Sequence, residues 1–380
     1  MSQNAEPIKL LFCTDGIYPY AIGGMQRHSR VLIEELAKTN KVEIIAIHPH
    51  KRNVFEDKFK IKEIHVEGIN AKKNYILECY RYSKRIYPIL EQFPEHIIYS
   101  QGLSVWYKIK NVGSRLIINP HGLESYQSIT LNDLILGLPF RVIFNYLFSN
   151  CAKVVSLGGK LTAILRRVVK EKGKIAVICN GINIPEDFSI SERFDRRLNR
   201  LNLLFVGRFA NNKGISILLK AVKKLNAEGY ADKISYRLAG AGPLYESYVK
   251  NFQYKNVTYL GSVFDVQLFD LYKSADLFVL PTLYEGMPLV VLEAMSYALP
   301  VIVSDVGATS ELVDGSNGYL IKRKDVTALK NAIIDFYGLN AEQKNYLSRN
   351  SHSKAKNYFS WGCVSAQYIA LFRELRKQIK

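Results

Sequence analysis

The sequence predicts an α/β fold made of two doubly wound parallel-sheet domains. Three observations carry this. The chain has 380 residues, more than one hydrophobic core usually organises. Short apolar runs alternate with helical patterns along almost the whole length, which is the βαβ rhythm of parallel sheets. That rhythm stops in the polar stretch Ser189–Arg200 and then restarts, as a domain linker would make it do.

In the first block, Lys9–Cys13 reads as a strand, Met25–Thr39 as a helix and Val42–His48 as a strand. Further strands are expected at Ile61–Val66, Ile97–Ser100, Leu116–Pro120, Lys153–Ser156 and Ile175–Cys179. Leu131–Ser149 reads as a helix with an exposed or groove-lining apolar face. Asp133, Pro139 and Arg141 leave its apolar runs too short to cross a bilayer. In the second block, strands are expected at Leu201–Val206, Ile234–Ala239, Val257–Leu260, Leu277–Leu280 and Val301–Ser304, with Ala341–Lys380 helical and basic at its end.

Hydrophobic residues make up 48% and charged residues 23%, a globular balance. The five cysteines show no CxxC spacing, which argues against a disulfide framework or zinc site and for a reducing compartment. Met1–Pro7 is polar and lacks the apolar core of a signal peptide. The net charge of +18 is spread evenly, with 26 Lys/Arg against 17 Asp/Glu in each half. A nucleotide diphosphate, an anionic membrane surface or nucleic acid would fit it, as would a basic protein with no special partner.

Ligands of open parallel sheets bind beyond the carboxyl ends of the strands, so the loops there hold the candidate residues. After the first strand, Gly23-Gly24 opens a helix and lets backbone approach an anion, although a plain glycine-rich turn reads the same way. Arg208 and Lys213, with Gly214, stand at a strand end and a helix start, as a diphosphate clamp would. Gly240-Ala241-Gly242-Pro243 permits close backbone approach, with Pro243 suited to a first helical position. The strongest signal is Glu285-Gly286-Met287-Pro288-Leu289 with Glu293. Glu285 sits in a loop, Gly286 to Leu289 begin a helix, and Glu293 falls one to two turns inside it. A loop carboxylate and a helix carboxylate could hold sugar and ribose hydroxyls. The plain alternative is a capping Glu285 and a surface Glu293, but Glu293 has apolar neighbours, and a buried unpaired carboxylate is costly. His121 in Pro120-His121-Gly122 also follows a strand, where a lone histidine is more often structural.

Taken together, Glu285-x7-Glu293, Val206-Gly-Arg208-Phe with Lys213-Gly214, Gly23-Gly24, Gly240-x-Gly242-Pro243 and His121-Gly122 resemble the retaining GT-B glycosyltransferases of family 4, the "glycosyl transferases group 1". Asn180-Gly181-Ile182-Asn183 and Ser360-Trp361 resemble two further segments of that family. The resemblance implies two Rossmann-like domains facing a cleft. The acceptor-side domain would be 1–189 and the nucleotide-sugar domain 200–363, with helix 364–380 packing back on the first. It implies that Arg208 and Lys213 hold the donor diphosphate and that Glu293 binds the ribose. Glu285, with the backbone of Gly286, Met287, Pro288 and Leu289, would hold the transferred sugar. Gly23 and Gly24 would approach the phosphate or sugar, Gly240 would lie by the donor, Val263 would meet the base, and His121 would lie near the sugar and acceptor. The implied reaction is retaining hexosyl transfer that needs neither cofactor nor metal. Its partners would be a nucleotide-sugar donor and a glycan or lipid-linked acceptor of surface polysaccharide or glycoconjugate synthesis, not nucleic acid. Its expected place is the cytoplasm, at the inner face of the cytoplasmic membrane where that surface binds. Ala241 and Asn183 stand where the family usually has acidic residues, which leaves base and sugar preference open. A sugar-nucleotide epimerase or hydrolase of the same fold, and a catalytically silent nucleotide-sugar-binding partner, are the rival readings.

Overall fold

The computed structural model describes residues 6–70, 72–127, 130–186, 194 and 200–379. The linker expected at 189–200 falls outside the described residues except for Phe194 and Arg200. The chain forms two compact units, one of residues 1–181 and 361–380, the other of residues 182–360. These divisions lie at Gly181/Ile182 and Ser360/Trp361, where the sequence reading drew them at 189/200 and 363/364.

The first unit runs β1 (Ile8–Cys13), α1 (Gly24–Lys38), β2 (Val42–His48), β3 (Lys62–His65), α2 (Tyr75–Gln92), β4 (Ile97–Gln101), α3 (Ile109–Val112), β5 (Leu116–Asn119), α4 (Leu131–Asn150), β6 (Lys153–Ser156), α5 (Gly159–Val168) and β7 (Ile175–Val177). The second runs β8 (Leu201–Val206), α6 (Ile215–Ala227), β9 (Ile234–Ala239), α7 (Tyr245–Asn251), β10 (Val257–Gly261), α8 (Asp265–Ser274), β11 (Leu277–Leu280), α9 (Leu289–Ser296), β12 (Val301–Ser304), α10 (Thr309–Leu312), β13 (Gly318–Ile321), α11 (Val326–Gly338) and α12 (Ala341–Phe359). The last helix, α13 (Trp361–Ile379), returns to the first unit.

The sheets have seven strands in the order β3-β2-β1-β4-β5-β6-β7 and six in the order β10-β9-β8-β11-β12-β13. Every strand pairing is parallel. A parallel sheet with helices on both faces buries its central strands on both sides, which is why β4, β5, β11 and β12 are buried at every position, without alternation. The first core joins Leu10, Phe12, Ile44, Tyr99 and Ile117 to Leu32, Ile33 and Leu36 of α1. Trp361, Tyr368 and Phe372 of α13 fill the same core, and the Tyr99 hydroxyl donates to that of Tyr368 at 3.0 Å.

Side-chain caps fix the starts of several helices. Thr130 with Asp133 and Asn340 with Gln343 form capping boxes on α4 and α12, while Asn74 caps α2 and Asp325 caps α11. In contrast, α1, α6 and α9 open at Gly23, Gly214 and Pro288 with no side-chain cap, so their first N–H groups are left to other partners.

Two local expectations are corrected. Gly286–Pro288 do not begin the helix: Pro288 is the N-cap and α9 starts at Leu289. Pro243 is not a first helical residue, because Leu244 caps α7, which starts at Tyr245. The helical end expected over 341–380 is present as two helices that meet at Ser360, which is extended.

Candidate functional site

In the second unit the sheet order sets neighbouring loops along one edge. All strands point the same way, so the carboxyl ends of β10, β9, β8 and β11 lie side by side. They carry, in that order, Val263, Gly240–Gly242, Arg208 with Lys213, and Glu285. The chain leaves β8 toward β9 on one side and returns as β11 on the other, which makes the β8/β11 junction a topological switch point.

Lys213 and Glu285 meet at that junction. Lys213 Nζ donates to Glu285 Oε1 at 2.5 Å, and the Thr282 hydroxyl donates to the same oxygen at 3.0 Å. The pair is mostly enclosed, with Lys213 23% and Glu285 11% exposed. Backbone contacts lock the two loops together. Leu283 N–H donates to Asn212 C=O at 2.7 Å, and a Cβ at Gly214 (φ 69°) would lie 1.8 Å from the Pro281 carbonyl oxygen. Only glycine allows this approach. Gly240 serves the β8/β9 side in the same way, since a Cβ there would stand 1.9 Å from the Gly207 carbonyl oxygen.

Arg208 is exposed at the end of β8, with its Cγ 3.0 Å from where a Gly242 Cβ would be. Val263 is half-buried in the loop after β10, and the Gly261 carbonyl accepts from Gly240 N–H at 2.7 Å, which ties that loop to its neighbour. Glu293 is the fifth residue of α9 and half-buried. Its Oε2 accepts from the Tyr272 hydroxyl at 2.8 Å, and Tyr272 stacks on Tyr297 at 5.8 Å. Met287 and Pro288 are buried, Leu289 is half-buried, and Gly286 C=O accepts from Ala308 N–H at 2.8 Å.

In the first unit the switch point lies between β1 and β4. Gly23 has an extended backbone and caps α1, and a Cβ on Gly24 would meet nothing within 4 Å. His121 follows β5 in the left-handed region (φ 55°), with its N–H donating to Asn119 Oδ1 at 2.9 Å. Its Nε2 is hydrogen-bonded to Gln101 Oε1. With a carboxamide oxygen as partner, Nε2 carries the proton and Nδ1 is left as the acceptor. Burial, with His28 beside it, holds the His121 pKa well below the ordinary histidine value, so the ring is neutral.

Two chemical groups lay outside the sequence reading. His28, on α1, is 1% exposed, packs against His121, Trp361 and Tyr368, and has no hydrogen-bond partner for either ring nitrogen among the described residues. Burial pulls its pKa down to about 3. Asp15, just past β1, has a buried, unbonded Oδ1, and burial pushes its pKa up to about 6. The aspartate letter was visible in the sequence, but nothing there distinguishes a buried one. All five cysteines are free. Among the described residues no three His, Cys, Asp or Glu side chains gather as metal ligands.

Two doubly wound parallel sheets, the second with a lysine–glutamate pair at its switch point, give the chain the GT-B fold. It belongs to the glycosyltransferases that join a family 4 domain to a group 1 domain: residues 22–185 match the former, described as Glycosyltransferase Family 4, and residues 200–338 match Glycosyl transferases group 1. An uncharacterized glycosyltransferase of Methanocaldococcus jannaschii is 27% identical over 352 residues, covering 90% of this chain and 92% of its own. A UDP-Gal:α-D-GlcNAc-diphosphoundecaprenol α-1,3-galactosyltransferase of Escherichia coli is 30% identical over 200 residues, 49% of this chain and 51% of its own. The fold is shared with sucrose-phosphate synthase of Thermosynechococcus elongatus, at a TM-score of 0.78 and 21% identity over 97% of this chain and 99% of that one.

Proposed function

We propose that this glycosyltransferase is a metal-independent, retaining hexosyltransferase. It takes a UDP- or GDP-sugar and adds the sugar to a glycan or lipid-linked acceptor in surface polysaccharide or glycoconjugate synthesis. The observation that carries this reading is the Lys213–Glu285 pair at the switch point, flanked by Arg208 and by Glu293. The E. coli relative, whose name gives a UDP-galactose donor and a polyprenyl diphosphate acceptor, supports the substrate classes. Five free thiols suit a cytoplasmic enzyme.

Each residue then has a task that its surroundings suit. Negative charge grows on the diphosphate as the sugar–oxygen bond breaks, and Arg208 and Lys213 neutralise it together with the uncapped N–H groups of α6 and α9. Glu285, fixed by Lys213 and Thr282, accepts hydrogen bonds from the sugar hydroxyls. Glu293, held by Tyr272, takes the ribose diol. In the first unit, neutral His121 offers Nδ1 to a hydroxyl. The acceptor hydroxyl attacks the oxocarbenium-like carbon from the leaving-group face and passes its proton to the departing phosphate oxygen.

The test is a transfer assay with UDP- and GDP-hexoses in EDTA, using polyprenyl diphosphate sugars and free oligosaccharides as acceptors, with product read by NMR. A product that keeps the donor's anomeric configuration supports the proposal. An inverted linkage, a strict metal requirement, or conversion of the donor to free sugar or epimer without an acceptor overturns it.

A further inference from the structure

Gln101 places a carboxamide where the core of the first unit would take an apolar side chain. It is the last residue of β4, 0% exposed, and stands beside Asn119 of β5. Its backbone is held without help from the side chain: Gln101 C=O accepts from Ser104 N–H at 3.2 Å and from the Ser104 hydroxyl at 2.8 Å. Among the described residues the carboxamide makes one hydrogen bond, from its Oε1 to His121 Nε2, and its own Nε2 is buried without a partner. A buried donor left unbonded lowers stability. Leucine would therefore serve this strand better, and what the carboxamide does instead is fix the His121 ring.

The rest of the ring's surroundings work to the same end. Asn119 Nδ2 donates to the Tyr99 hydroxyl at 2.9 Å and to that of Tyr368 at 3.4 Å, which turns Asn119 Oδ1 toward His121 N–H. This pins the His121 backbone in the left-handed region, which histidine adopts more readily than most side chains. From α1, His28 packs edge-on against the ring at 4.9 Å. The titratable groups around His121 are few. His28 is neutral through burial. Tyr99 of β4 and Tyr368 of α13 reach His121 through Asn119, and burial holds both phenols well above the ordinary tyrosine value. Glu124 lies over the next residue, Gly122. Among the described residues no carboxylate is hydrogen-bonded to the ring, so nothing there stabilises a second proton on it.

We infer that Gln101 is a positioning residue that holds His121 as the Nε2–H tautomer, so that the ring meets the transferred sugar as a hydrogen-bond acceptor only and requires a hydroxyl that donates to Nδ1. The inference rests on the proposed reading of His121 as a group at the sugar. A ring free to turn its proton round would bond any group that accepts; the fixed ring bonds only one that donates. A sugar with fluorine, an ether or a carboxylate at that position has no proton to give and leaves Nδ1 unpaired, and a site built for a hydroxyl discriminates against such analogues.

The first test needs no substrate. Nitrogen-15 NMR of the full chain labelled at histidine, with the His121 signals identified by their loss in His121→Ala, should show the Nε2–H tautomer in the wild type and a mixture in Gln101→Leu. That variant should melt no lower than the wild type, because the unbonded amide is gone. The second test is transfer from UDP-glucose, UDP-galactose and GDP-mannose and from their 3-, 4- and 6-deoxyfluoro analogues. At one position fluorine should lower kcat/KM of the wild type at least about tenfold more than that of Gln101→Leu. In Gln101→Glu the new carboxylate favours a doubly protonated ring, whose Nδ1–H can donate to fluorine; tolerance of that analogue should appear at low pH and fade as pH rises. The Nδ1–H tautomer in the wild type, a tautomer unchanged in Gln101→Leu, or fluorine penalties equal in wild type and variants would overturn the inference and leave the transferase reading standing. Wild-type turnover of His121→Ala with every donor would instead overturn the placement of His121 at the sugar, and the inference with it.

Discussion

Replacing Lys213 by alanine should damage catalysis far more than stability. The side chain stands 2.5 Å from Glu285 at the switch point, with the pair mostly enclosed. Loss of a preorganised charge facing a leaving diphosphate is worth about 3–4 kcal/mol of transition-state stabilisation, or about 10²–10³-fold in kcat/KM. Alanine also leaves the Glu285 carboxylate without its cation beside a bound dianion, which adds to the loss. The fold itself should lose only about 1–3 kcal/mol for a part-exposed pair, discounted for solvent screening. For a unit of this size that is a fall in Tm of about 2–12 °C. Lys213→Met/Glu285→Gln should recover most of that stability and little of the activity, so a double-mutant cycle separates the two effects. A control lies in the same unit, where Lys330 pairs with Glu228 at 2.8 Å at the surface; Lys330→Ala should leave turnover unchanged. The assay is initial-rate transfer with thermal melts of each variant. Turnover of Lys213→Ala within about threefold of wild type would refute the placement of the diphosphate.

Two pH-dependent predictions follow from buried groups. His28 is held neutral, with a folded pKa near 3 against an ordinary 6.5. Below pH 6.5 the unfolded chain takes up a proton that the folded one refuses, so stability falls with pH at about 1.4 kcal/mol per unit. His28→Phe should therefore gain on the wild type by about 2 kcal/mol between pH 7 and pH 5, read from paired melts; a constant gap would count against the burial argument. Asp15 has the opposite sign. Its pKa of about 6 against an ordinary 3.8 means that its contribution is lost as pH rises through that window, about 3 kcal/mol in all. Asp15→Asn should raise Tm at pH 7, with the gain vanishing below pH 4. A gain that persists unchanged below pH 4 would count against the burial argument.

Much of the fold is legible in the sequence because buried parallel strands must be short apolar runs, and those runs stand out against their helices. Strand β13 does not: Gly318–Ile321 is four residues with a glycine at one end, an edge element visible only once β12 offers it a partner. The start of α9 was misplaced because Pro288 looks like a first helical residue but has an extended ψ of 116° as the N-cap. At the site, Lys213 and Glu285 can be picked out by their places after strands, while their contact across 72 residues follows from strand order. The sequence also cannot show that Tyr272 holds Glu293, since a tyrosine on a helix 21 residues away carries no signal until α8 and α9 are brought together. Burial of His28 and Asp15 is likewise a product of packing.

The central claim is that the second unit binds a nucleotide-diphosphate sugar through Lys213, Glu285 and Glu293. It is tested most directly by titration calorimetry of the purified protein with UDP, GDP and their hexose conjugates in EDTA, repeated with Glu293→Ala. The account predicts that one nucleotide family binds without divalent metal and that Glu293→Ala weakens it at least about tenfold while the variant remains folded. Failure of every nucleotide to bind, or full affinity in the variant, would contradict it.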